Sequence, residues 1–201
     1  VRKYNTGGTE TATIGGSNTR LEAAKKVIKK IVSNTDLTSG ANFGLMEWGS
    51  TYSSRTRIRV KISDTGAQQI YSDVDNITAS GGTNLNNALN RARDYFTSGQ
   101  VANWNLSCSM NYLIVISDGY WSSHSSVLQI ADILNNSNNI KTFAVGFALG
   151  GANNNYKTLA EKGGTTSPLY ASNETELLAK LTDAIKQAIS GRLTFTTPAV
   201  M

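Results

Sequence analysis

The chain has 201 residues, enough for one compact domain with a sizeable core. Apolar residues make up 39% and charged residues 16%, and no apolar run approaches the ~20 residues a bilayer requires, which excludes a membrane span and a highly charged disordered chain. A single cysteine, Cys108, and a single histidine, His124, exclude an internal disulfide framework and a clustered Cys/His zinc site, while 19 Lys and Arg against 14 Asp and Glu give +5, far short of a nucleic-acid-binding arm.

The sequence opens at Val1 without the apolar core of a secretion signal, and it reads as an excised or processed piece. Residues 1–18 carry Gly7, Gly8, Gly15 and Gly16 with no periodicity and are expected to form a loop insertion. From Thr19, the recurrence of Leu21, Ala24, Ile28 and Ile31 opposite Lys25, Lys26, Lys29 and Lys30 predicts an amphipathic helix to about Ser33. Phe43 to Trp48 predicts a short buried strand. In the next strand Thr56, Ile58, Val60 and Ile62 alternate with Arg55, Arg57, Arg59 and Lys61, which suits a sheet edge whose cationic face is solvated. Helical patterns follow over Thr65 to Asn76 and from Leu85 through Phe96. Tyr112 to Ile116 is a continuous apolar run of the kind covered on both faces, stopped by Ser117-Asp118-Gly119. A helix over Ser126 to Asn136, a strand over Ile140 to Phe147, a helix near Tyr156 to Lys162, a brief strand near Leu169 and a long helix from Glu174 to Ser190 complete the pattern. Strands alternating with helices predict an α/β domain with a doubly wound, mostly parallel sheet and one antiparallel edge strand. Residues 191–201 change character and read as a linker or strand toward a further module.

In an open parallel sheet, ligands gather at the carboxyl ends of the strands, which directs attention to Asp118. On its own Asp118 either makes a tight turn with Gly119 or faces a ligand. Thr83 lies in a second loop, Gly82-Thr83-Asn84-Leu85, which opens into a helix that Thr83 or Asn84 could cap. Taken together, a hydroxyl and a carboxylate brought to one sheet edge are hard oxygen ligands of the kind Mg²⁺, Mn²⁺ or Ca²⁺ demands.

The segments Thr19-Arg20-Leu21-Glu22-Ala23-Ala24-Lys25, Gly81-Gly82-Thr83-Asn84-Leu85 and Tyr112 to Gly119 resemble a von Willebrand factor type A domain, over roughly residues 19–190. The resemblance implies a metal-ion-dependent adhesion site built from an Asp-x-Ser-x-Ser loop after the first strand, a threonine and an aspartate. Thr83 and Asp118 match the last two. No Asp-x-Ser-x-Ser follows a hydrophobic strand before Thr19. The expectation is that this central strand and its loop lie upstream of Val1, the alternative being a degenerate site that binds no metal. The insertion before the first helix, Cys108 ahead of the Asp-Gly strand and Phe195 to Val200 after the last helix are also similar in order to the N-terminal region of type IV pilus tip-associated adhesins of the PilC and PilY kind.

The resemblance therefore implies an extracellular adhesion or mechanosensing module at a bacterial pilus tip. Its partner would be a host or surface ligand or a minor pilin; the alternative is a metal-free scaffold or pilus assembly module. Tyr120 and Trp121 follow Asp118 and are candidates for the ligand rim, although Trp121 could equally pack on a helix. Cys108 either pairs outside the chain or fills a buried space, and His124 is expected to be a solvated loop residue. No Gly-x-Ser-x-Gly elbow, phosphate-binding loop or dinucleotide fingerprint occurs, so no enzymatic activity and no nucleic-acid partner is expected.

Overall fold

A computed structural model of the chain describes residues 19–49, 56–79, 82–101 and 110–193. The expected insertion at 1–18, Cys108 and the tail beyond Leu193 lie outside the described residues. The elements in order are helix α1 (Arg20–Val32), the short helix α2 (Thr35–Thr38), strands β1 (Phe43–Glu47) and β2 (Arg57–Ser63), and helices α3 (Gly66–Asp73) and α4 (Leu85–Tyr95). Strand β3 (Asn111–Ser117), helix α5 (His124–Asn136), strand β4 (Ile140–Phe147), helix α6 (Asn154–Lys162), strand β5 (Leu169–Ala171) and helix α7 (Glu174–Leu193) follow.

Local chemistry sets the boundaries. A capping box starts α1: Thr19 Oγ1 accepts from the Glu22 amide at 3.2 Å and the Glu22 carboxylate accepts from the Thr19 amide at 2.7 Å. Past α4 the helix widens over Phe96–Gln100 and stops at Gly99, whose φ of 78° lies in the left-handed region that glycine adopts without cost. Neither α2 nor this widened turn is foreshadowed in the sequence pattern.

Strands β3, β4 and β5 form a parallel sheet with β4 central, in register from Asn111 opposite Ile140 to Ser117 opposite Gly146. Strands β1 and β2 form an antiparallel pair. Helices α4, α5 and α6 cover one face, where Leu89, Val127, Leu134, Tyr156 and Leu159 pack with Val115 and Ala144. The other face is covered by α1 and α7, through Val27, Ile31, Leu177 and Leu181 against Val145 and Phe147, with Ile70 of α3 and Val74, just past its end, packing on the β1–β2 pair. Helices on both faces make the molecule doubly wound, as the sequence pattern predicts.

The cationic row of β2 is not simply solvated. Arg57 sits opposite Glu47 across the ladder and donates to it at 2.6 Å. Arg59, with a side chain only 10% exposed, donates to Glu47 at 2.9 Å and to Asp73 of α3 at 2.8 Å. Neighbouring elements supply carboxylates to the row, which strand periodicity cannot reveal. Hydrogen bonding to Arg59 holds the Asp73 carboxyl below its ordinary value.

Among the described residues no ladder joins β1 to β3. The gap between them falls where the resemblance places the family's first strand.

Candidate functional site

The carboxyl ends of β1 and β3 open onto one cleft, with a volume of about 260 Å³, whose walls include Arg20, Trp48, Thr83, Ser117 and Asp118. Thr83 and Asp118, far apart in sequence, are therefore brought together. A side-chain carbon at Gly119 would lie 3.8 Å from Thr83 Oγ1, which measures how closely the two loops approach. The capping of α4 falls to Asn84, whose side chain accepts from the Asn87 amide at 3.0 Å; the Thr83 hydroxyl is not needed for it.

Asp118 is not alone. Arg20, in the first turn of α1, donates from Nη1 to the Asp118 carboxylate at 3.3 Å and to the Asp118 carbonyl at 3.3 Å. The carboxylate side chain remains 42% exposed, so the ion pair holds the loop without enclosing it.

Beneath the loop lies a layer the sequence did not disclose. Tyr156 of α6 is fully buried, and its hydroxyl is directed at the Gly119 carbonyl at 2.7 Å and the Ser117 carbonyl at 3.2 Å. It thereby holds the backbone on both sides of Asp118. Burial, reinforced by the nearby Asp118 charge, pushes its phenol up to about 12, so it stays a donor across the physiological range. Trp121 is 5% exposed and packs edge-on against Tyr156 with ring centroids 4.7 Å apart. This corrects its assignment to the ligand rim: a ring committed to the core offers no surface to a partner. Tyr120, the other rim candidate, is 56% exposed.

His124 also departs from expectation. It begins α5, accepts from the Trp121 indole N–H at 3.1 Å through Nδ1 and contacts Thr158 Oγ1 at 3.0 Å through Nε2. An acceptor at Nδ1 requires the neutral ring with its proton on Nε2. The chain Trp121, His124, Thr158 ties the Asp118 loop to α6. Sequence reasoning missed Arg20, Tyr156 and this use of His124. Only Arg20 left a signal, since a helix beginning at Thr19 places its first turn at the sheet's carboxyl edge.

Thr83 and Asp118 fit the oxygen-donor chemistry of a divalent cation. Among the described residues, however, no group of three or more His, Cys, Asp and Glu side chains comes together to hold one. The two would by themselves supply only part of a coordination shell.

The family model of the von Willebrand factor type A domain matches residues 12–184. No curated protein sequence matches the chain. Among solved structures, proximal thread matrix protein 1 from the mussel byssus is similar at 18% identity and a TM-score of 0.64, covering 84% of this chain and 42% of its own. A crystal form of that protein has zinc in its MIDAS motif. A von Willebrand factor type A protein from Catenulispora acidiphila matches at 12% identity and a TM-score of 0.63, over 85% of this chain and 39% of its own. The manganese-loaded TRAP protein of Plasmodium vivax matches at 19% identity and a TM-score of 0.57, over 79% of this chain and 64% of its own. This chain thus spans about two fifths of the length of the mussel protein. At these identities the likeness establishes the fold.

Proposed function

The chain belongs to the von Willebrand factor type A family, and from that premise we propose that it is a recognition module without catalytic turnover, which engages a protein partner through a divalent cation held at the Thr83–Asp118 cleft. The observation that carries this is the convergence of a hydroxyl and a carboxylate from two separate loops on one cleft at the carboxyl edge of the strands. Zinc in the mussel protein and manganese in TRAP support a divalent ion at the corresponding place in this fold.

Thr83 would contribute its hydroxyl oxygen and Asp118 its carboxylate. The bound ion would supply a concentrated positive charge to which a partner's carboxylate or other oxygen coordinates. Before loading, Arg20 balances the Asp118 charge, and Tyr156 fixes the loop's carbonyls so that little ordering remains to be done on binding. Tyr120, two residues after Asp118, would offer an exposed aromatic surface to the partner. The finer assignment is to the extracellular tip of a type IV pilus, with Mg²⁺, Mn²⁺ or Ca²⁺ as the ion, an upstream Asp-x-Ser-x-Ser loop completing its shell, and a host or surface ligand or a minor pilin as partner. It rests on the order of sequence features described above. Among the described residues no helix is long and apolar enough to cross a membrane.

Manganese titration followed by NMR tests the cation site. Selective paramagnetic broadening of the Thr83, Asp118 and Gly119 amides, abolished in Thr83→Ala, is the expected result. One observation favours a second function, a metal-free scaffold: the Arg20 guanidinium already neutralises Asp118. Broadening that is absent, or spread evenly over surface carboxylates, selects the scaffold.

A further inference from the structure

The end of the molecule away from the Thr83–Asp118 cleft carries a second concavity. Helix α1 starts beside the cleft at Arg20 and runs for 13 residues, about 20 Å, so its last turn reaches the opposite end. There the end of α1, the short helix α2, the turn after β2 and one face of α3 enclose an open groove of about 680 Å³. Small-molecule sites have volumes of roughly 300–1,000 Å³.

The frame of the groove is fixed by local bonds. Asn34 caps α2, its side chain accepting from the Asp36 amide at 2.9 Å, and Leu37 anchors that helix in the core. In the turn after β2, Asp64 Oδ1 accepts from the Thr65 amide at 2.8 Å. At Gly66 a side-chain carbon would collide with the Phe43 carbonyl, so α3 starts hard against β1. A groove built this way needs little ordering on binding.

Its lining is polar and nearly uncharged. Of the described side chains that line it, only that of Asp64 carries a charge. The hydroxyls of Ser33, Thr35 and Ser39 and the amide of Gln68 are exposed, and none of them hydrogen-bonds to another described residue. Tyr71 stands beside them, 48% exposed. Lys29 Nζ, itself paired with Asp75, lies 4.9 Å from the centroid of the Tyr71 ring and holds it from one face.

We propose that this groove binds a neutral saccharide. The hydroxyls of a sugar ring both donate and accept, which suits a lining of hydroxyls, one amide and one carboxylate. The C–H face of the ring is apolar and packs on an aromatic face such as that of Tyr71. A lone negative charge disfavours phosphate, sulfate and uronate ligands. The proposal stands independently of whether the cleft holds a cation.

The test is an NMR titration of the full 201-residue chain with the methyl glycosides of glucose, mannose, galactose and N-acetylglucosamine, each taken separately. At least one is expected to shift the amides of Ser33, Asp64, Gln68 and Tyr71 saturably, with a millimolar dissociation constant, while Thr83 and Gly119 stay in place. Tyr71→Ala should weaken binding by about tenfold or more, and Tyr71→Phe should keep it within about twofold. Both positions of contact, Tyr71 and Gln68, are exposed, so Gln68→Ala should weaken binding severalfold without moving the melting transition. No saturable shift with any glycoside up to about 100 mM overturns the proposal, as do equal shifts from glycerol or unchanged binding in Tyr71→Ala. A serine- and threonine-rich peptide that moves the same amides when no glycoside does would also overturn it, and would assign the groove to a polypeptide.

Discussion

Strands β3 and β4 lie side by side and are both rich in apolar residues, yet they reach different states of burial. β4 has a strand on each side and helices on both faces, and its residues from Thr142 to Phe147 are all buried. β3, whose run Tyr112 to Ile116 is continuously apolar, has one described strand neighbour, and only its Val115 and Ser117 are buried. Apolar sequence states a demand for cover; the neighbours decide whether it is met. Among the described residues, the half of the molecule around β4, α5 and α6 is closed, and the half around β1 and β2 is joined to β3 by no described ladder. The candidate cleft sits on the boundary, with Tyr156 and Trp121 from the closed side and Trp48 from the β1 side.

This contrast gives a ranked set of expectations for chemical denaturation. Tyr156→Ala removes a fully buried aromatic from the closed half and should cost about 3–5 kcal/mol. Tyr156→Phe keeps the packing but withdraws the donor from the Ser117 and Gly119 carbonyls, and should cost about 1–2 kcal/mol while loosening the Asp118 loop in hydrogen exchange. The matched pair Leu134→Ala and Leu113→Ala measures the contrast directly: about 2–5 kcal/mol for Leu134, which is fully buried in α5, and about 1 kcal/mol for Leu113, half-buried in β3. Equal costs would mean that β3 is covered as completely as α5.

Smaller effects come from charge. Arg59→Met should cost about 1–2 kcal/mol at neutral pH, because it breaks a partly buried bridge to Glu47 and Asp73. The folded Asp73 carboxyl is held below its unfolded value, so the stabilisation is complete above the unfolded value and is lost as pH falls through the folded one. Melting curves taken from neutral pH into the acid range should therefore fall more steeply for the parent chain than for Arg59→Met. Arg20→Ala should cost the least, about 0.2–1 kcal/mol, since its partner is substantially exposed.

Much of the fold was legible from periodicity. The strand over Ile140 to Phe147 and the helices after Thr19 and Leu85 needed no tertiary information, because each carries its own pattern of period 2 or 3.6 or a continuous apolar run. Thr83 and Asp118 were legible because loops at the carboxyl ends of parallel strands converge, a property of the topology rather than of either loop. The supports of the site were not. The role of Tyr156 depends on a hydroxyl meeting two carbonyls about 37–39 positions away in sequence, and Trp121 is fixed in the core by a ring on another helix. Glu47 and Asp73 reach the cationic face of β2 from different elements, so an alternating row of arginines looked solvated when read alone.

The central claim is that Thr83 and Asp118 form part of a working cation site, and thermal unfolding of the chain with Mg²⁺, Mn²⁺ or Ca²⁺ against chelator tests it most directly. A ligand that binds only the folded state raises the midpoint, by the equivalent of about 2.7 kcal/mol at a hundredfold excess over its dissociation constant. The account predicts a higher midpoint with at least one of these ions, lost in both Thr83→Ala and Asp118→Ala. Coincident midpoints with every ion and with chelator, or a rise that survives both substitutions, would contradict it.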